Sequence, residues 1–136
     1  MRGVIKILVL GMVVMVVAQP SYDERWEGNG TGHVVVNGDT IYPWFNWTAW
    51  VEYDYMPGKD TIWGIWWDNE GDTGRIYGHR DEANDSVFGT WDCINCDVSG
   101  EWKGKANYPT TDSAQGEWWV TSGGTGDGTW SGHREE

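Results

Sequence analysis

From Asn46 onward the chain alternates apolar and polar positions with a period of two, and one short phrase keeps restarting the pattern. It reads Gly64-Ile-Trp66, Gly74-Arg-Ile76, Gly89-Thr-Trp91, Gly100-Glu-Trp102, Gly116-Glu-Trp118 and Gly128-Thr-Trp130, with successive glycines 10, 15, 11, 16 and 12 residues apart. Period two is the repeat of a strand, and this spacing with turn signals between is that of consecutive short antiparallel strands. The turns are written in Met56-Pro57-Gly58-Lys59-Asp60, Asn69-Glu70-Gly71-Asp72, Glu82-Ala83-Asn84-Asp85, Pro109 to Ser113 and Ser122 to Asp127. Each carries residues that accept positive φ or fix a bend.

Side chains alternate across a strand, so the two faces separate on paper. Gly100, Trp102 and Gly104 share one face, as do Gly116, Trp118 and Val120, and Gly128, Trp130 and Gly132. Their opposite faces carry Glu101, Lys103, Lys105, Thr129, Ser131 and His133, so the tryptophan face is the buried one. A glycine two places from an indole leaves room for a ring from the neighbouring strand. Large beside small is how side chains fill a narrow barrel or a thin sandwich. Upstream, Asn46 to Tyr55 alternates cleanly, and His33–Asn37 with Ile41–Trp44 predicts a hairpin across Gly38-Asp39. The expected fold is all-β, an antiparallel meander of about eight or nine short strands forming a small barrel or sandwich. The last strand, at the end of the chain, is placed to pair with an early one and remove an edge.

Composition supports this and adds an address. Arg2 and Lys6, the run Ile7 to Ala18 and the small residues Val16-Val17-Ala18 read as an export leader over residues 1–18, cut before Gln19. Twelve helical residues span about 18 Å, short of the ~30 Å hydrocarbon core, so no membrane span is expected. Residues 19–45 read as an N-terminal extension with the hairpin, and residues 46–136 as the Trp- and Gly-rich meander. After Ala18 there is no leucine, while all twelve tryptophans and six tyrosines remain, so the core must be aromatic. Seven basic residues face 21 acidic ones there, a formal charge of −14, which repels phosphate backbones and excludes nucleic acid as a partner.

Candidate chemistry is sparse. Gly78-His79-Arg80-Asp81-Glu82 returns 54 positions on as Gly132-His133-Arg134-Glu135-Glu136, which reads as one strand design used twice and ending in charges at the sheet's rim. Without a nucleophile and an ordered third group beside the histidines, it does not make a catalytic site, and no enzyme activity is expected. The strand-borne acids Glu52, Asp54 and Asp92 lack an apolar setting in the pattern. Cys93 and Cys96 cannot complete a structural zinc site alone, and in an exported chain they read as a disulfide pinning a tight turn. Asn29-Gly-Thr, Asn46-Trp-Thr and Asn84-Asp-Ser are glycosylation sequons, with Asn29 and Asn84 expected in loops. Asp68, Glu70 and Asp72 alternate in one loop without the order of a calcium hand, and read as solvated charges. Neither metal nor cofactor is expected.

The informative anomaly is aromatic residues out of phase with the core face: Trp63 and Trp67, Tyr77, Trp119 and Trp50. Three readings are open: burial beneath the N-terminal strands in a two-sheet sandwich, a subunit or surface interface, or a stacking platform for carbohydrate. The G-x-W strand starts and the meander order resemble the calycin barrels, the lipocalin and streptavidin-like group, in architecture, and fold alone does not carry function. The function expected is a non-enzymatic secreted or cell-surface structural or interaction protein that self-associates or binds another surface protein. The alternative is a carbohydrate-binding module using Trp63, Trp67, Tyr77 and Trp119.

Overall fold

The computed structural model describes residues 6–10, 13–17 and 21–135, with side chains from Ser21 onward. Its strands are β1 (Lys6–Leu10), β2 (Val13–Val17), β3 (Glu24–Val36), β4 (Asp39–Ile41), β5 (Trp44–Met56), β6 (Lys59–Asp68), β7 (Thr73–Asp81), β8 (Ser86–Cys93), β9 (Ser99–Ala106), β10 (Ser113–Ser122) and β11 (Thr125–Glu135). β1 and β2 pair with each other in a sheet of their own. The leader's cut before Gln19 falls outside the described residues.

From β5 to β11 each strand pairs antiparallel with the next, and β3 pairs with both β5 and β11, closing an eight-stranded barrel. β4 adds a short flank to β3 through the Asn37-Gly38 turn. The architecture is therefore a barrel and not a sandwich. β3, drawn from the segment expected as an extension, is the strand that closes it. Its eleven paired positions with β11, from Arg25–Glu135 to Val35–Thr125, leave neither strand an open edge along that length.

The tryptophan face is the inward one, and the indoles lie along the wall. Trp66 on β6 crosses Gly74 on β7 and donates its Nε1–H to the Asp92 carbonyl on β8 at 2.9 Å. Trp91 crosses Gly100 to the Trp119 carbonyl at 3.3 Å, and Trp118 crosses Gly128 to the Thr31 carbonyl at 3.2 Å. Trp47, Trp102 and Trp130 lie the other way, each bonded to a carbonyl of the preceding neighbour in the wall (Asn29, Thr90 and Glu117). Their far edges cover Gly132, Gly78 and Gly104 one strand further on. An indole held against the wall needs a partner for its N–H, and for these six a backbone carbonyl of the sheet supplies it.

Two aromatic tiers result. Phe45, Trp66, Trp91 and Trp118 form a closed ring of edge-to-face contacts, with centroids 5.9–6.5 Å apart. Trp130 bridges Trp47 and Trp102 below it at 5.7 and 6.0 Å.

A Cβ at Gly116 would lie 2.5 Å from Trp130 Cζ2, besides meeting the Lys103 carbonyl. Gly116→Ala is expected to cost about 1–3 kcal/mol or more in urea unfolding, as overpacking does. An unchanged midpoint would mean that the indole does not lie in this slot.

Candidate functional site

The meander brings the starts of β3, β6, β8 and β10 to one end of the barrel, with the ends of β5, β7, β9 and β11. That end, the base, is closed by an ionic network. Arg80 donates to both Glu24 oxygens at 2.9 and 3.0 Å and to Asp60 Oδ2 from Nε at 2.8 Å. Glu24 also accepts the Trp26 indole N–H at 2.8 Å and the Tyr53 hydroxyl at 2.5 Å. Asp60 is fully buried, and its second oxygen accepts the Asp54 N–H at 3.1 Å.

The repeated Gly-His-Arg phrase is explained here. Gly78 and Gly132 admit the edges of Trp102 and Trp47, and both arginines point to the base, Arg134 reaching within 4.0 Å of Glu24. The charges expected at a solvated rim are, at Arg80, buried in the barrel end. His79 and His133 point outward on strands four apart in the wall. His79 packs against Tyr55, Tyr77 and Phe88, while His133 contacts Glu135 at 2.5 Å.

Burial alone would raise the Glu24 carboxyl, but hydrogen bonds from Arg80, Tyr53 and Trp26, with the Arg80 charge, outweigh it and hold the pKa at about 2. Beside it, Asp54, Asp60 and Glu82 bring carboxylate oxygens within 4.8 Å of one another. Sharing hydrogen bonds with Asp60 and Asp54, Glu82 is pushed up to about 7. These oxygens have the chemistry to hold a divalent cation, although Asp60 is already committed to Arg80.

Above the base the barrel is hollow. A cavity of about 420 Å³ runs from Arg80 and Val87 past Ile76 and the aromatic tiers to the loops at the opposite end. Phe45, Trp66, Ile76, Trp91 and Trp130 face inward yet are only half-buried, because their side chains front this space. Of the described lining residues only Asp97 and Gly123 are exposed, and both lie on loops at that far end, which is the mouth.

The mouth is braced. Cys93 and Cys96 are joined by a disulfide, Cα–Cα 5.3 Å, in the β8–β9 loop. Asn95, inside that loop, accepts the Thr73 N–H and donates to the Gly71 carbonyl, both at 3.0 Å. Asn69 accepts the Trp44 N–H at 2.9 Å, tying the β6–β7 loop to the start of β5. Asp68 folds that loop by accepting the Glu70 and Asp72 N–H groups, both at 2.9 Å. Asp68 and Asp72, expected as solvated charges, are half-buried and line the cavity with Asp97. Burial, with the nearby Asp68 and Glu70 charges, raises the Asp72 carboxyl above its ordinary value.

The out-of-phase aromatics lie on the barrel's outer wall. The burial reading is overturned, because β3 is part of the wall and no described strand lies over this face. Trp67 is 42% and Tyr77 53% exposed. Trp50, Trp63 and Tyr77 stand in one row across β5, β6 and β7, with Ile65 and Phe88 beside it. Trp67 lies two same-face positions along β6 from Trp63. Trp119 is three strands round from Tyr77, half-buried with Lys103 5.9 Å from its ring, so the four expected platform residues form no single cluster. Asn84 lies in the exposed β7–β8 turn, but Asn29, expected in a loop, sits exposed in mid-strand opposite Asn46. No helix among the described residues is long and apolar enough to cross a membrane.

Removing one partner of a buried charge network strands the rest, so Arg80→Met is expected to cost about 3–5 kcal/mol in urea unfolding. The pH dependence has two limbs. Glu24, depressed in the fold, contributes about 3 kcal/mol that is complete above its ordinary 4.5 and lost as pH falls toward 2. Glu82, raised in the fold, loses stability as pH climbs from 4.5 through about 7. Thermal unfolding should therefore peak near pH ~5, and Glu82→Gln should flatten the neutral limb alone. A neutral limb unchanged in that variant would refute the assignment.

No protein-family model matches the chain, and no curated protein matches it in sequence.

Proposed function

We propose that this is a non-enzymatic, exported binding protein that takes a small apolar ligand inside its barrel. The observation that carries the reading is the hollow interior, open at one end. Water is a poor occupant, because it needs two to four polar partners and the wall between base and mouth is made of hydrocarbon and indole faces. Eight strands suit an interior that holds one small ligand, and the volume lies in the range of small-molecule sites. The titratable groups lining the cavity are confined to its two ends, and Arg80 is occupied by two carboxylates, which favours binding over catalysis. Export is supported by the leader pattern and by the disulfide, which suits an oxidising compartment.

The outer aromatic row favours a second, compatible role as an interaction surface for another copy, a surface protein or a sugar. Trp63→Ala with Tyr77→Ala would then abolish concentration-dependent association in light scattering, or sugar binding, with unfolding unchanged.

The interior reading is tested by calorimetric titration with 2-naphthalenemethanol, a neutral bicyclic probe. One site per chain is expected, lost in Ile76→Trp, which fills the cavity from its wall. Absence of binding in the parent, or undiminished binding in a folded Ile76→Trp, would contradict the proposal.

A further inference from the structure

Resting on that reading, we propose that the ligand is an apolar cation, an amine or quaternary ammonium on a ring-bearing skeleton, with its charge held at the mouth by Asp68, Asp72 and Asp97. The cavity is polarised from end to end. Among the described residues that line it, the one cationic group, Arg80, lies at the closed base and is neutralised by Glu24 and Asp60. Its three remaining charged groups are carboxylates, all at the open end, and none forms an ion pair with a described residue.

The basic side chains nearest that end offer no relief. Arg75 is on the outer wall, bound to Asp92 at 2.8 Å, and His33 is also outward, 3.6 Å from Asp127. An anionic head entering the barrel would pass three carboxylates that have no cationic partner among the described residues. A cationic head would meet them at the depth where its apolar body reaches the Phe45–Trp66–Trp91–Trp118 ring.

The wall adds to the same preference. Indole faces are the strongest cation–π partners among side chains, and four aromatic rings surround the passage just inside the rim. The rim is also held in place before any ligand arrives, through Asn69 on Trp44 and Asn95 on Thr73 and Gly71. Preorganised charge of this kind gives selectivity without a closing motion.

The test compares three probes with one skeleton by calorimetry at neutral pH and moderate salt. They are 2-naphthylmethylamine (cationic), 2-naphthalenemethanol (neutral) and 2-naphthoate (anionic). The expected order is cation at least tenfold tighter than neutral, and neutral tighter than anion. In Asp72→Asn/Asp97→Asn the cation's advantage over the neutral probe, measured in that same variant, should largely vanish. Glu101→Gln/Glu117→Gln, which removes two charges from the outer wall, should keep it, separating the rim from the general pull of an acidic chain. Equal affinities for cation and neutral probe would overturn the inference while leaving the barrel site standing. A preference abolished equally by the outer-wall pair would also overturn it. Failure of all three probes to bind would remove the barrel site, and the inference with it.

Discussion

An indole lying across a glycine is the contact on which this barrel depends. Each of the six tryptophans that lie along the wall is too large to project to the axis beside the others, and too polar at its N–H to lie against hydrocarbon. Glycines on the next strands remove the Cβ atoms that would hold the ring off the wall, and a sheet carbonyl accepts the N–H. The constraint runs both ways, since a slot without its indole would leave a gap and an indole without its slot would collide. A leucine-free core is built from this pairing, with the edge-to-face ring as its upper tier.

Laying the rings flat has a structural consequence. Bulky side chains that would normally plug an eight-stranded barrel instead line it, and the axis stays open. One end then has to be sealed by something other than the tiers, and Arg80 does so with Glu24 and Asp60. A buried charge network is a weak source of net stability, but its geometry is demanding, and it fixes which end is closed. The opposite end is braced by asparagine side chains and a disulfide, and it carries the uncompensated carboxylates. Base and mouth thus differ in chemistry because the meander collects alternate strand ends at each.

How much of this was legible in the sequence follows from how local each feature is. Strand positions and the inward tryptophan face depend on period-two alternation within single strands, and Gly-x-Trp phrases carry that openly. Closure does not. β3 contributes Gly28, Gly30 and Gly32 to the interior, positions that matter only because Trp47, Phe45 and Trp118 from other strands cover them. Read alone, that segment is polar and glycine-interrupted, so it resembles an extension, and Asn29 resembles a loop residue. The base is legible only in part. Glu24, Asp60 and Arg80 each fall in phase with an inward neighbour (Trp26, Ile62 and Gly78), which was a usable signal. Nothing local says that residues 56 positions apart meet. The cavity has no sequence signature, because unfilled volume is a property of the closed wall.

Whether the small apolar ligand sits inside the barrel is decided most directly by solution NMR with saturating 2-naphthalenemethanol. A ligand seated in the barrel gives nuclear Overhauser contacts from the probe to the indole protons of Trp66, Trp91 and Trp130. Contacts confined to Trp50, Trp63 and Tyr77, with the inner indoles unperturbed, would contradict it.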